Sequence, residues 1–259
     1  MRPATMIASV LRNATVSRTA HALGELLLPR ACVACARLLD RGDHDLVCAR
    51  CWARVHDLPY PRCERCGHPL TRQHCAWCEL LPPYVRASRS VCWIPGQTAG
   101  AIVHALKYAG WRGVAEQMAA RMARLSWPAD VVAERTAFVP VPLASSRLRE
   151  RGYNQSALLA RSLSSRCHVR VNESCLVRTR RTATQTRLTP EDRRHNVSGA
   201  FAVPAGERTA LRGAHLVLVD DVITTGATLG ECAATLFDAG ARIISIVTFG
   251  RAPAIGDAG

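Results

Sequence analysis

The stretch HLVLVDDVITTGATL, His215 to Leu229, runs from apolar residues onto two adjacent carboxylates and then into hydroxyls and glycine. With TLGECAATLFDAG (228–240) and ARIISIVTF (241–249) behind it, the pattern predicts a strand, a turn, a helix stopped at Gly240 and a second strand. A βαβ unit of that order places its ligand site at the carboxyl end of the first strand. There Thr224, Thr225, Gly226, Ala227 and Thr228 sit where the turn enters the helix. Free backbone N–H groups and the positive end of the helix dipole make that corner a cradle for a dianionic phosphate, and Gly226 lets the backbone approach closely. Asp220 and Asp221 would repel a phosphate they faced, so they are expected to face donors: sugar hydroxyls, a hydrated cation, or both. A ribose with a terminal phosphate satisfies both halves of the site. The competing reading is a strand ending in solvated acids before an ordinary helix cap.

Working outward, strand-like RSVCWI, AFVPVPL and SCLVRT alternate with helical TAGAIVHALKYAG, GVAEQMAARMARL and NQSALLARSLSSR. This alternation predicts an α/β fold, a mainly parallel sheet flanked by helices. Pro82 and Pro83 form a natural linker ahead of it. The expected organisation is an N-terminal helix over 1–28, a cysteine-rich module over 29–82 and the α/β domain over 83–259. The segment MIASVLRNATVSRTAHALGELLLP is Arg-bearing and poor in acids, and reads as a short amphipathic helix ending at Pro29 in preference to a transit peptide.

Hydrophobic residues make up 48% of the 259 and charged ones 21%, which excludes a disordered tail and a membrane protein. No apolar run approaches the ~20 residues needed to span a bilayer, and no secretory signal is present, so a cytoplasmic location is expected. The formal charge is +14, and Lys107 is the one lysine among 34 cationic residues. Codon usage in a GC-rich genome would be enough to explain the arginine excess; the excess would also suit phosphate, to which guanidinium offers a planar fork. Between Pro140 and Ala200 there are 12 Arg against 4 acids, a net of +8. Such a stripe attracts polyanions, whether nucleic acid or phosphorylated metabolites.

Eight of the 12 cysteines form four pairs, each with two residues between: Cys32/Cys35, Cys48/Cys51, Cys63/Cys66 and Cys75/Cys78. Two thiolates at that spacing chelate one tetrahedral ion from a tight turn, and two such turns complete a four-sulfur shell. Disulfides would need an oxidising compartment, so two structural zinc ions are expected. Consecutive pairing and an interleaved cross-brace use the same ligands. His44, His56, His68 and His74 read as solvated loop residues, and Trp52 and Trp77, each beside a ligand, as covers over the sites. With few apolar residues in the module, metal would supply most of its folding free energy, on the order of 10 kcal/mol per site.

The stretch VLVDDVITTGAT resembles the phosphoribosyl pyrophosphate signature of type I phosphoribosyltransferases. Together with the cysteine pairs, ALKYAG, VPVPLASSRLRERGYNQ and LVRTRRTATQTRLTPEDRRHNVSGAF, it is similar to the ComF family over nearly the whole chain. That resemblance implies a type I phosphoribosyltransferase fold preceded by a small zinc-ribbon module whose sites each hold four cysteines. It implies phosphoribosyl pyrophosphate as ligand, with Mg2+, and transfer of the phosphoribosyl group to a nucleophile or binding without turnover. Asp220 and Asp221 would hold the ribose hydroxyls, and Thr224 to Thr228 the 5-phosphate. Val141, Pro142, Leu143, Ala144 and Ser145 would form the loop under the pyrophosphate, with Arg147, Arg149 and Arg151 behind it, although alternating arginines equally describe a solvated face. Asn154 would sit where that loop turns into a helix, or be no more than that helix's N-cap. The segment from Arg178 to Arg194, with Thr182, Gln185, Arg193 and Asn196 matching the family, would close over the leaving group. Ala144 stands where the family commonly has His. The resemblance also implies handling of single-stranded DNA during uptake, with partners in membrane-associated machinery.

Overall fold

The computed structural model describes residues 30–40, 45–70, 75, 77–78, 81–94, 96–180 and 197–253. The helix expected over 1–28 and the family positions Thr182, Gln185, Arg193 and Asn196 lie outside them. After a short helix α1 (Ala49–Ala53) come β1 (Val85–Trp93), α2 (Gln97–Tyr108), α3 (Val114–Met122), α4 (Ala129–Glu134) and β2 (Arg135–Pro140). Then follow α5 (Ser145–Arg151), α6 (Gln155–Cys167), β3 (Val177–Arg178), β4 (Phe201–Ala202) and α7 (Arg208–Leu211). The stretch from His215 to Leu229 forms β5 (His215–Ile223) and the start of α8 (Ala227–Asp238), and β6 (Ile243–Arg251) follows.

Four strands form one parallel sheet in the order β1-β6-β5-β2, with Ser88 opposite Ile246, Ser245 opposite Val217 and Val217 opposite Phe138. A parallel bridge between Phe138 and Val171 adds to the outer edge of β2. Parallel sheets are covered on both faces, which is why these strands read as continuous apolar runs. Period-two alternation splits them: Val217, Val219, Val247 and Phe249 join one core, while Leu216, Leu218, Ile244 and Ile246 join the other. Ile102 and Leu106 of α2, Met118 and Met122 of α3 and Leu159 and Leu163 of α6 cover the first face. Leu229, Ala233 and Leu236 of α8 cover the second.

The α/β class, the mainly parallel sheet and the cysteine-rich module ahead of it are as the sequence predicts. SCLVRT differs: only Val177 and Arg178 are extended, and they pair antiparallel with β4 outside the main sheet. In AFVPVPL the strand stops at Pro140, since proline offers no ladder N–H and Pro142 follows two residues later. What read as an arginine-rich run becomes α5, closed by Gly152 at φ 76°.

In the cysteine-rich module, the donor atoms of Cys32, Cys35, Cys48 and Cys51 lie within 4.8 Å of one another, and so do those of Cys63, Cys66, Cys75 and Cys78. Pairing is therefore consecutive and not interleaved. The two knuckles repeat one turn: Ala36 N–H donates to Cys32 O and Gly67 N–H to Cys63 O, with φ of 57° and 67°. At Gly67 a Cβ would lie 2.4 Å from the carbonyl oxygen of Ser88 on β1, so this knuckle docks on the sheet only because it has no side chain there. Two expectations need correcting. His68 is 7% exposed, its ring 5.4 Å from Trp77 and 5.8 Å from Trp93, because the knuckle is pressed against the end of β1. Trp52 packs edge-on against Phe249 of β6 at 6.2 Å, so it belongs to the sheet's core.

Candidate functional site

β2 and β5 are neighbours, so the loops leaving their carboxyl ends meet; Val141 N–H donates to Val219 O at 3.0 Å. Between them opens a cleft of about 580 Å³. Its walls include Asp220, Asp221, Thr224, Thr225, Gly226, Ala227 and Thr228 on one side and Val141, Pro142, Leu143, Ala144, Arg147 and Arg151 on the other. Ser145 and Arg149, expected with them, are exposed on α5 and do not line it. A smaller cavity of about 160 Å³ adjoins, sharing Lys107, Tyr108, Arg147 and Arg151.

The corner where β5 gives way to α8 is built by backbone. Gly226 caps α8 at φ 75°, and no acidic residue lies in the helix's first turn. A Cβ at Gly226 would meet nothing closer than 3.8 Å, so glycine is required there by its left-handed φ and not by crowding. The opposite loop is held by Asn154, whose side chain accepts from Ser156 N–H at 3.0 Å as the N-cap of α6 and donates through Nδ2 to Val141 O at 3.0 Å. One asparagine thus starts a helix and anchors the loop.

The acid pair is not solvated. Asp221 is 2% exposed and its Oδ1 lies 2.9 Å from Lys107 Nζ, brought in from α2. Asp220 is half-buried; its Oδ1 accepts from Ser156 Oγ at 2.7 Å and from Asp221 N–H at 2.9 Å. Burial first, and then the Asp221 charge, push the Asp220 carboxyl up to about 7. Burial works against the Lys107 ammonium, but Asp221 and Asp220 outweigh it and hold its pKa above the ordinary value.

Lys107 and Ser156, assigned no role from sequence, join the site, and Arg178 joins it as the first residue of the segment expected to close over the leaving group. Arg178 lines the cleft from β3, its guanidinium 5.3 Å from the centre of the Phe201 ring. Lys107 and Ser156 lie 113 and 64 residues ahead of Asp220, so no local pattern brings them to it; the solitary lysine, inside ALKYAG, was the one signal.

The cysteine clusters suit zinc. Bonds of about 2.3 Å to a tetrahedral ion set sulfurs roughly 3.8 Å apart. Cys35 and Cys48 Sγ are 3.9 Å apart, and Cys63 to Cys78 and Cys66 to Cys75 are tighter at 3.0 and 3.3 Å. Burial opposes ionisation of Cys32, but N–H groups of Cys48, Ala34 and Cys35 outweigh it and bring its pKa down to about 6, whereas at Cys51 burial and the neighbouring thiols push the pKa up. The two four-cysteine sites fit two structural zinc ions.

Comparison with known proteins agrees with that assignment. Residues 23–81 match the family model of the double zinc ribbon domain. The chain is 32% identical over 231 residues to the DNA utilization protein YhgH of Escherichia coli O6:H1, covering 85% of this chain and 96% of that protein. It is 31% identical over 233 residues to competence protein F of Haemophilus influenzae, again covering 85% and 96%. Among solved structures it is similar to the glutamine phosphoribosylpyrophosphate amidotransferase of B. subtilis, with a TM-score of 0.36 and 17% identity over 53% of this chain and 26% of that one. Among the described residues no helix is long and apolar enough to cross a membrane.

Proposed function

This chain belongs to the ComF family, and on that premise we propose that its cleft binds phosphoribosyl pyrophosphate with Mg2+ and that the protein is a phosphoribosyltransferase. The observation that carries the reading is the convergence of an acid-free helix N-terminus, closed by left-handed Gly226, with a carboxylate pair and an opposing loop backed by arginines. Backbone N–H groups at Thr224 to Thr228 would receive the 5-phosphate, and Asp220 and Asp221 would accept from the ribose hydroxyls. The diphosphate would lie along Val141 to Ala144, with Arg147 and Arg151 beside it and Arg178 facing it from β3. Displacement at the anomeric carbon develops positive charge on the sugar and negative charge on the departing diphosphate. Bound Mg2+ would supply charge neutralisation on that diphosphate. The arginines stabilise the same leaving group, and the acid pair orients the sugar; no side chain need move a proton there.

Calorimetry of the zinc-loaded full chain with phosphoribosyl pyrophosphate and Mg2+ tests the proposal. Uptake by the wild type, lost on Asp220→Asn and Asp221→Asn, is the expected result, and no uptake by the wild type ends it. Binding without consumption in the presence of candidate acceptors would make the protein a regulator and not a transferase.

The names of the two relatives, a DNA utilization protein and a competence protein, favour a second activity on the same fold in handling DNA; we propose that the DNA is single-stranded and met during uptake, in the cytoplasm and with partners in membrane-associated machinery. The basic stretch from Arg178 to Arg194, most of which lies outside the described residues, is its candidate surface. Affinity for single-stranded DNA should then fall steeply with salt and with Arg→Ala changes in that stretch. Salt-independent affinity would dismiss it.

A further inference from the structure

In a chain with 34 cationic side chains and one lysine, the lysine is the residue whose Nζ lies 2.9 Å from Asp221 Oδ1. The other oxygen of that carboxylate, Oδ2, is buried without a hydrogen-bond partner among the described residues, on a side chain only 3% exposed. A buried carboxylate oxygen left unsatisfied is costly, so the arrangement asks for a donor from a bound molecule. Asp221 lines the cleft beside Thr224 to Thr228, where that donor would arrive with a phosphate. The residue type matters. An ammonium is a compact point charge that engages one oxygen, whereas a guanidinium fork takes both oxygens of a carboxylate and would consume Oδ2.

We infer that Lys107 is a positioning residue for a pentose 5-phosphate: it clamps Oδ1 of Asp221 and leaves Oδ2 as acceptor for a sugar hydroxyl. Its charge also offsets that of the Asp221 carboxylate, so the sugar phosphate is taken up without a divalent cation between the two acids. The inference rests on the sugar-phosphate reading of the cleft and goes beyond it by assigning a role to α2.

The test is calorimetry of the zinc-loaded full chain with ribose 5-phosphate, in Mg2+-free buffer and again with Mg2+ added, alongside thermal melting. Wild type should bind with an affinity that Mg2+ changes by less than about twofold. Lys107→Met should bind about tenfold more weakly without Mg2+, the loss of about one charged hydrogen bond, and recover in part when the ion replaces the ammonium. Lys107→Arg should melt like wild type, since the ion pair survives, yet also bind about tenfold more weakly. Wild-type affinity in either variant overturns the clamp, and a wild type that needs Mg2+ to bind overturns the charge argument. If both variants melt low, recovery of Lys107→Met with Mg2+ supports the clamp and its absence overturns it. A wild type that takes up no ribose 5-phosphate sinks the sugar-phosphate reading itself, and the clamp with it.

Discussion

At Asp220, burial and the neighbouring Asp221 charge raise the carboxyl from an ordinary 3.8 to about 7, so the folded protein holds a proton there that the unfolded chain releases. Stability from this group is present below pH 4 and is lost as pH rises through 7, because the native state binds more protons than the unfolded one across that window. Asp220→Asn should remove the decline, leaving the variant nearly equal to wild type at pH 4 and more stable at pH 8, by less than about 4 kcal/mol, the full equivalent of a rise from 3.8 to about 7, because solvent screens this half-buried group. Urea unfolding at several pH values measures this, and parallel pH profiles for the two proteins would contradict it. At Gly226 the constraint is conformational: Gly226→Ala forces an L-residue to a φ of 75°, at a cost of about 1–2 kcal/mol, and any relaxation moves the first turn of α8. Ligand uptake should therefore fall more than stability does; binding at the wild-type level would show that the corner tolerates a side chain. These positions were legible because their chemistry is written in consecutive residues, Asp220 to Thr228. Lys107 and Ser156 were not, since only the packing of α2 and α6 on the end of β5 brings them to the acids.

Among elements, α6 shows how a loop is fixed by the helix that follows it. Asn154 commits its oxygen to the Ser156 N–H and its Nδ2 to Val141 O. The two jobs separate by substitution. Asn154→Asp keeps an N-cap acceptor, and the added charge sits well at a helix N-terminus, so α6 should lose little. The donor to Val141 is gone, and the loop from Val141 to Ala144 is released. Asn154→Ala loses both and should cost about 1–2 kcal/mol. Comparing unfolding free energies with affinity for phosphoribosyl pyrophosphate separates the roles: the Asp variant should match wild type in stability and the Ala variant in weakened binding. If the Asp variant binds as wild type does, the tether carries no functional weight. The sequence pointed to Asn154 as a cap, because cap residues announce themselves by type. It could not show the tether, whose acceptor is a carbonyl 13 positions back. The same blindness explains β3: SCLVRT has strand-like residues, but Cys175 and Leu176 bury in the core beside α8, and Val177 and Arg178 pair with β4 instead of joining the sheet.

Across the whole molecule, the boundary at Pro82 and Pro83 does not separate two independent bodies. Cys51, Trp52 and Val55 lie in the same core as Val217, Val247 and Phe249, so the first knuckle covers one face of the sheet. The second is fastened by arginines. Arg65 donates to the carbonyls of Cys78, Leu81, Pro82 and Val85, Arg89 to those of Glu64 and Ser126, and Arg251 to that of Cys66. The zinc motif was plain from cysteine spacing, but this fastening was invisible, since backbone carbonyls leave no trace in sequence and each arginine reads as surface charge. The coupling makes a prediction about metal removal. If zinc supplies on the order of 10 kcal/mol per site to the module's folding, stripping it should unfold both knuckles. That would expose the sheet face under Trp52 and break the hydrogen bonds of Arg65, Arg89 and Arg251 across the boundary, lowering the stability of the α/β domain as well. Calorimetric melting of the zinc-loaded chain should give one cooperative transition, and chelation should move all of it to lower temperature. Trp52→Ala, with both metal sites intact, should lower the same single transition through loss of about 3–5 kcal/mol of core packing against Phe249. Two separate transitions, with the larger one indifferent to chelator and to Trp52→Ala, would mean that the ribbon is an appendage and that the cleft stands without it.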